Sequence, residues 1–380
     1  MSEEKHRNKK RSVFQILLFL IPAVTIALMY FGYTTYRTTQ FYSYVKTFQG
    51  GWSGKVHEAH TELGFVPIPN TRGSEIMPIG PAIPMRYDKN GFRIPVEETL
   101  PTEHIHPIVL TLGCSFTYGA ATHAKNTFPY LVGKYTCGST KNAGVCSYGL
   151  SQMVIIAKEL IPRHNPDYVL VQYSPWLVKR AISPFAPSYN GKVPNPYYIE
   201  EGNLAIHPPV FQTKVFELPI DNYRKSQEGV ADFFSFLWNV GFPLFLHDDF
   251  NMTAYTLGKV LRLKTRPTKN RSAVIQHAYG EIFQVAEQNG AKLIIVILGE
   301  NYHPVPVQKD LFPTDALVVD AHGELLNRLT TIDENSYQKQ YSHWRGDPPR
   351  LVDGHPNEFA HKIIAETIVS QIMELSNREK

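Results

Sequence analysis

The chain has 380 residues, 43% of them apolar and 12% aromatic, which is enough to bury a large core and excludes a disordered or fibrous polymer. Its net charge is +4, of which +3 sits in the first twelve residues, so the body is nearly neutral and offers no ground for expecting nucleic-acid binding. Three cysteines, Cys114, Cys137 and Cys146, are too few for a disulfide framework and lack paired zinc-ligand spacing, although Cys137 and Cys146 flank a short connection and are a candidate pair in an oxidising compartment.

Residues 1–12 form a basic tail containing Lys5, Arg7, Lys9, Lys10 and Arg11. An apolar run over 13–33 follows, broken only by Gln15, Pro22, Thr25 and Gly32. A hydrocarbon core about 30 Å thick needs roughly 20 helical residues, so the run is long enough to span a membrane. FGYTTYRTTQF, from Phe31, shows no small-x-small cleavage pattern, and the segment reads as an uncleaved signal anchor. Basic flanks stay in the cytoplasm, so the remaining chain is expected outside, in a periplasm or extracellular space, with the membrane as a partner through this helix. Residues 34–104 are expected to form a β-rich leader or collar, because ELGFVPIPN (Glu62–Asn70) and YDKNGFRIP (Tyr87–Pro95) read as short strands and turns.

From 105 to 378 strand and helix signals alternate. Strands are predicted at Ile108–Leu112, Tyr168–Tyr173 and Leu293–Leu298, and a shorter one at Ala316–Val319. Helices are predicted at Phe128–Lys134, Leu150–Leu160, Ser272–Asn289 and Glu358–Leu375. In the third of these, Val274, Ile275, Ala278, Ile282 and Val285 recur at helical spacing before Gly290 stops the helix. Such alternation predicts a parallel sheet covered by helices on both faces, with functional loops at the strands' C-terminal ends. A stretch over about 181–270 interrupts it and carries the aromatic run DFFSFLWNVGFPLFLHDDF, too apolar for a linker; a lid or cap that walls the substrate cleft is expected there, or, for the FFSFLW part, an ordinary pair of core-packed helices.

Two segments carry the chemistry. LTLGCSFTYG (Leu110–Gly119) reads as a buried strand entering a glycine-flanked turn that holds Ser115 at the mouth of a helix. LVDGHPNEFAH (Leu351–His361) supplies Asp353 and His355 just before the last helix. A serine hydroxyl beside an imidazole oriented by a carboxylate becomes a nucleophile, because the imidazole takes its proton as the oxygen attacks.

Together these blocks resemble the SGNH or GDSL hydrolase superfamily of esterases, lipases and carbohydrate O-acyl-modifying enzymes. The resemblance implies a flavodoxin-like three-layer α/β/α fold and a triad of Ser115, Asp353 and His355. Cys114 stands where that family usually has an acid, and we read it as a packing residue. The family's commoner spacing puts two residues between the acid and the histidine, whereas only Gly354 separates them here. Asp353 is therefore expected to reach the ring by a bend at Gly354, with Asp320 and Asp347 as reserve acids. KNAGVCSYGLSQ (Lys141–Gln152) resembles the second block and puts Ser147 where a glycine usually lends its backbone N–H to the oxyanion hole, alongside that of Ser115. The third block, which should bring an Asn after the next strand, is here Ser174-Pro175-Trp176. Asn142, Trp176 and Arg180 are the candidate substrate-lining residues.

His104 with His106, and His355 with His361, lack acidic or cysteine partners at ligand spacing; they read as solvated loop and helix-surface histidines, and no metal or cofactor is expected. The leading expectation is a membrane-anchored serine esterase or O-acyltransferase acting on an acylated envelope glycan, peptidoglycan or lipid. The alternative is a noncatalytic binding or assembly protein that kept the fold, for which the missing Asn and the altered second-block glycine speak.

Overall fold

Apolar strands such as IVLTL and KLIIVI have no polar face to offer water, so they must be covered on both sides. The computed structural model describes residues 2–47, 50–97, 105–188, 191–261, 263 and 265–378. His104 lies outside them. The strands β1 (Ile108–Leu112), β2 (Ser139–Asn142), β3 (Tyr168–Tyr173), β4 (Lys292–Ile297) and β5 (Leu317–Val319) form one sheet in the order β5-β4-β3-β1-β2. All four pairings are parallel. Read along the sheet in chain numbers this is 2-1-3-4-5, the flavodoxin-like order, whose switch point lies between β1 and β3. The architecture is therefore the expected three-layer α/β/α one.

Helices Phe128–Tyr135 and Glu358–Arg378 cover one face. Their Phe128, Val132, Ile364 and Ile368 pack against Val109, Leu170 and Ile294 of the central strands. Leu150–His164 and Arg271–Gln288 form the second helical pair, and the apolar positions expected of the latter are buried except Val285. Predicted and observed ends of these helices differ by a few residues; Leu150–His164 runs through Pro162 and stops where Asn165 turns left-handed at φ +41°. β2 was not among the predicted strands. Its sequence, STKN, has no apolar pattern, and it forms because it occupies an edge and pairs with β1 alone.

The chain divides into two compact units. One comprises Met1–Phe48 and Leu218–Ala254, the other Gln49–Glu217 and Tyr255–Lys380. The stretch expected as a single lid is thereby split. Its hairpins Phe185–Ser188/Gly191–Pro194 and Tyr197–Glu201/Asn203–His207 belong to the sheet-bearing unit, whereas most of the aromatic helix belongs with the N-terminal helix.

The leader expected over 34–104 begins as helix, because the N-terminal helix continues to Thr47; its part in the sheet-bearing unit is β-rich. A three-stranded antiparallel sheet is built from Trp52–Ser53, Arg72–Glu75 and Ile83–Arg86, with a hairpin His57–His60/Gly64–Pro67 beside it in sequence. Trp52, Val56, Met85 and Tyr87 pack on Tyr118, Ala120 and Cys146, so the leader grips the turn after β1.

In the other unit the N-terminal helix spans Ser2–Thr47, well beyond the apolar run, and its side chains from Phe14 to Tyr33 are exposed. The helical stretch Val230–Val260 carries π-turns at Leu237–Gly241 and Phe245–Asp249, flanking Pro243, which lacks an N–H for the regular ladder. The two helices run antiparallel: Phe31 meets Phe242, Phe41 meets Phe236, and the Tyr42 hydroxyl donates to Asp232 at 2.6 Å. Both stretches are long and apolar enough to cross a bilayer.

Candidate active site

β1 ends against a turn that only small residues can make. A side chain at Gly113 would collide with the Thr117 hydroxyl and come within 2.7 Å of Gln172 Oε1. Ser115 opens the short helix Ser115–Tyr118, which Gly119 closes in the left-handed region at φ +83°. Three elements clamp this elbow. Gln172 of β3 accepts from the Cys114 N–H (3.0 Å) and the Thr117 hydroxyl (2.9 Å), and Asn142 of β2 donates to the Thr117 carbonyl (3.2 Å). From the leader, the Arg93 guanidinium donates to the carbonyls of Tyr118, Gly119 and Thr122, each at 2.6 Å, and stacks 4.0 Å from the Tyr118 ring centre.

Asp353 ends the strand Arg350–Asp353, which pairs with His343–Arg345, and His355 follows in a bend before the last helix. The structure brings the three predicted residues together. His355 Nε2 lies 2.9 Å from Ser115 Oγ, and His355 Nδ1 lies 2.7 Å from Asp353 Oδ1. The same carboxylate oxygen accepts the His355 backbone N–H at 2.7 Å, so the one-residue spacing closes a small ring that locks acid and imidazole together. With Nδ1–H donated to the carboxylate, Nε2 presents its lone pair to the serine hydroxyl. Ser115 is 8% exposed, and the side chains of His355 and Asp353 are 24% and 17% exposed, so the site is sheltered but open to a ligand. Asp320 caps the helix Ala321–Asn327 through the Gly323 N–H, and Asp347 lies in the turn before Pro348; neither takes part.

Electrostatics suit this arrangement. Burial tends to push the His355 pKa down, but the charge and hydrogen bond of Asp353, aided by Glu75, outweigh it and hold the imidazole above its ordinary value. Burial likewise opposes ionisation of Asp353, yet the charge of His355 and two hydrogen bonds from it hold the carboxyl below the usual carboxylate range.

Ser147 adopts φ +72°, the left-handed conformation a glycine would take without strain. A non-glycine residue pays roughly 1–2 kcal/mol there, and such strain clusters at functional sites. Among the described residues neither the Ser115 N–H, first in its helix, nor the Ser147 N–H donates to a protein acceptor. The Ser174 hydroxyl donates to the Leu298 carbonyl and accepts from Gln172, so it is no substitute for the absent Asn.

Of the expected lining residues, Trp176 lies tilted against Phe116 with ring centres 5.0 Å apart, and Phe116 stands edge-on to His355 at 5.3 Å. Arg180 is half-buried and donates to the Tyr148 carbonyl at 2.9 Å. Asn142 is buried, its amide committed to the elbow and to the Gly144 N–H, which makes it a positioning residue and not part of a surface beside the triad. Cys114 is fully buried, with the Trp176 indole N–H donating to its sulfur at 3.3 Å. Burial works to raise its pKa, but the Arg180 charge and the hydrogen bonds to sulfur prevail and lower it. Shielded on all sides, it packs as expected.

Two expectations need correction. His361 is not on a helix surface: it is fully buried, accepts the Phe128 N–H at 3.2 Å and is kept neutral by burial. Cys137 and Cys146 are both free, because Cys137 is exposed while Cys146 is buried between the leader and the elbow.

Sequence reasoning missed four residues around the site. Gln172 had a local signal, a lone polar residue in the strand YVLVQY. Arg93 had none, and neither did Glu75, a leader carboxylate only 1% exposed that accepts the Ala121 N–H at 2.9 Å and whose pKa burial raises. His343, whose Nε2 sits 3.1 Å from the Pro356 carbonyl, was equally silent.

No protein-family model and no curated protein sequence matches the chain. Among solved structures it is similar to a GDSL-like lipase from Bacteroides thetaiotaomicron VPI-5482 (10% identity, TM-score 0.33, covering 71% of this chain and 89% of that one). It is also similar to the psychrotrophic esterase EstA from Pseudoalteromonas sp. (11% identity, TM-score 0.33, 71% and 99%). A third is a carbohydrate esterase family 2 enzyme with a carbohydrate-binding domain from Corynascus thermopiles (11% identity, TM-score 0.34, 79% and 72%). The strand order and the serine after β1 agree with the arrangement that the sequence motifs imply, and the acid and histidine stand before the last helix, although one residue separates them in place of the commoner two.

Proposed function

We propose that the chain is a membrane-anchored, extracytoplasmic serine esterase or O-acyltransferase of the SGNH type that acts on an acylated envelope glycan or lipid. The observation that carries this reading is the continuous chain of contacts from Ser115 Oγ through His355 to Asp353. In the proposed reaction Ser115 Oγ attacks the acyl carbonyl as His355 Nε2 takes its proton, and Asp353 stabilises the imidazolium. The N–H groups of Ser115 and Ser147 are the proposed donors to the tetrahedral oxyanion. Collapse expels the alcohol, which takes the proton from His355, and leaves an acyl-Ser115 ester. Water or a carbohydrate hydroxyl, deprotonated by His355, then attacks that ester and regenerates the serine. The basic tail, the apolar run and the exposed apolar side chains of the N-terminal helix support its assignment as an anchor, with Asp353, His355 and Ser115 on the far side of the membrane.

Ser174-Pro175-Trp176 in place of the family's Asn favours a second reading, a noncatalytic envelope protein. A fluorophosphonate probe separates the two. The full-length chain should be labelled on Ser115, and Ser115→Ala and His355→Ala should each abolish labelling, with the double substitution adding little. An unlabelled but folded chain supports the binding protein instead.

A further inference from the structure

A groove of about 960 Å³ lies along β2, the polar edge strand, and none of the triad residues lines it. Its walls come from the leader, from β2 and from the ends of helices Phe128–Tyr135 and Leu150–His164. Arg72, Arg86, Lys89, Lys134, Lys141 and Arg163 converge on it, with the buried Arg93 at its floor, against a single acidic residue, Asp88. Such concentration is unexpected in a chain of net charge +4 whose excess lies mostly in its first twelve residues. Asp88, whose Oδ1 also accepts the N–H groups of Asn90 (2.8 Å) and Phe92 (2.9 Å), acts on Lys141 and offsets one of these charges, which leaves the wall strongly positive. Among the described residues Arg72, Lys89, Lys134 and Lys141 form no salt bridge. Lys141 is held 5.7 Å from the centre of the Phe92 ring, and burial lowers its pKa, so its charge is kept where water compensates it poorly.

We propose that this groove binds a segment of an acidic glycan, whose carboxylate or phosphate groups meet the converging cations while its hydroxyls meet Asn70, Asn90 and Thr140. A concave wall of like charge focuses its field inward and suits a chain that can enter it, whereas a bilayer surface meets only convex patches. The inference is independent of the ester chemistry.

Binding is measured with full-length Ser115→Ala in non-ionic detergent, by anisotropy of labelled hexagalacturonate and of a labelled glycerol-phosphate hexamer, which separate the two anion sources. At least one hexamer should bind, more weakly as salt rises, while maltohexaose does not. Lys134→Glu/Lys141→Glu should weaken binding by about tenfold or more, and Lys179→Glu/Lys339→Glu, an equal charge change outside the groove, should leave it unchanged. Should the groove variant fail to fold, acetylation of the Ser115→Ala chain serves instead: the bound hexamer should protect Lys134 and Lys141 and spare Lys179. Equal binding by the groove variant, equal loss in the control, absence of protection, or affinity only for anionic-lipid vesicles or an oligonucleotide would each overturn the proposal.

Discussion

At the scale of single residues, the proposed mechanism turns on the orientation of one imidazole. In the proposed reaction His355 must be neutral to accept the Ser115 proton, so kcat/KM should rise with pH through the His355 pKa, which Asp353 holds above the ordinary value of about 6.5. Asp353→Asn removes the charge that raises it while burial continues to lower it, so the acid limb of the pH–rate profile should move to lower pH. The same change should reduce kcat on the order of 10³–10⁴-fold, since the amide no longer selects the reactive tautomer. An unmoved limb would show that Asp353 does not set the His355 pKa. Ser147 offers a second test, because its proposed contribution is a backbone N–H. Ser147→Gly should retain activity and shift stability by no more than about 1 kcal/mol, since glycine tolerates φ +72°. Ser147→Pro, which removes the N–H and forbids positive φ, should abolish turnover; initial rates with a short-chain acyl ester, alongside thermal melts, distinguish the two.

Among the elements, the elbow depends on a missing side chain and on its clamps. In Gly113→Ala the new methyl meets Thr117 and Gln172, so we expect a loss of about 1–3 kcal/mol in unfolding free energy and a fluorophosphonate labelling rate reduced more than the melt alone accounts for. Unchanged labelling would mean that Ser115 tolerates a shifted elbow. β1, β3 and β4 were readable from sequence because a strand buried on both faces is a short continuous apolar run, whatever its neighbours are. β2 was unreadable for the converse reason: Ser139–Asn142 is polar and becomes a strand only by pairing with β1. The aromatic run from Asp232 was recognised as packed, but its partner was not, because side chains at helical spacing show a buried face without naming what buries it. Phe31, Phe41 and Tyr42 supply that partner from the N-terminal helix.

For the whole molecule, the proposed anchor makes a topological prediction. A phosphatase reporter that is active only outside the cytoplasm, fused after Lys380, should be active, and deletion of residues 1–33 should abolish its export. Activity of a strictly cytoplasmic reporter at the same position would refute the orientation.

The sequence alone determined the alternation of strands and helices, the serine turn and the Asp-x-His pair, since each rests on neighbours within a few residues and on local rules of burial, turn geometry and charge. Only the tertiary structure decided what converges. Ser115 and His355 meet across 240 positions of chain. The Asp353 carboxylate reaches its ring by closing a hydrogen bond to the His355 backbone, a conformation that the dipeptide spacing did not dictate. Arg93 and Glu75 come to the elbow because the leader sheet packs on Tyr118 and Ala120, and a contact made by packing leaves no trace in the residues on either side of it.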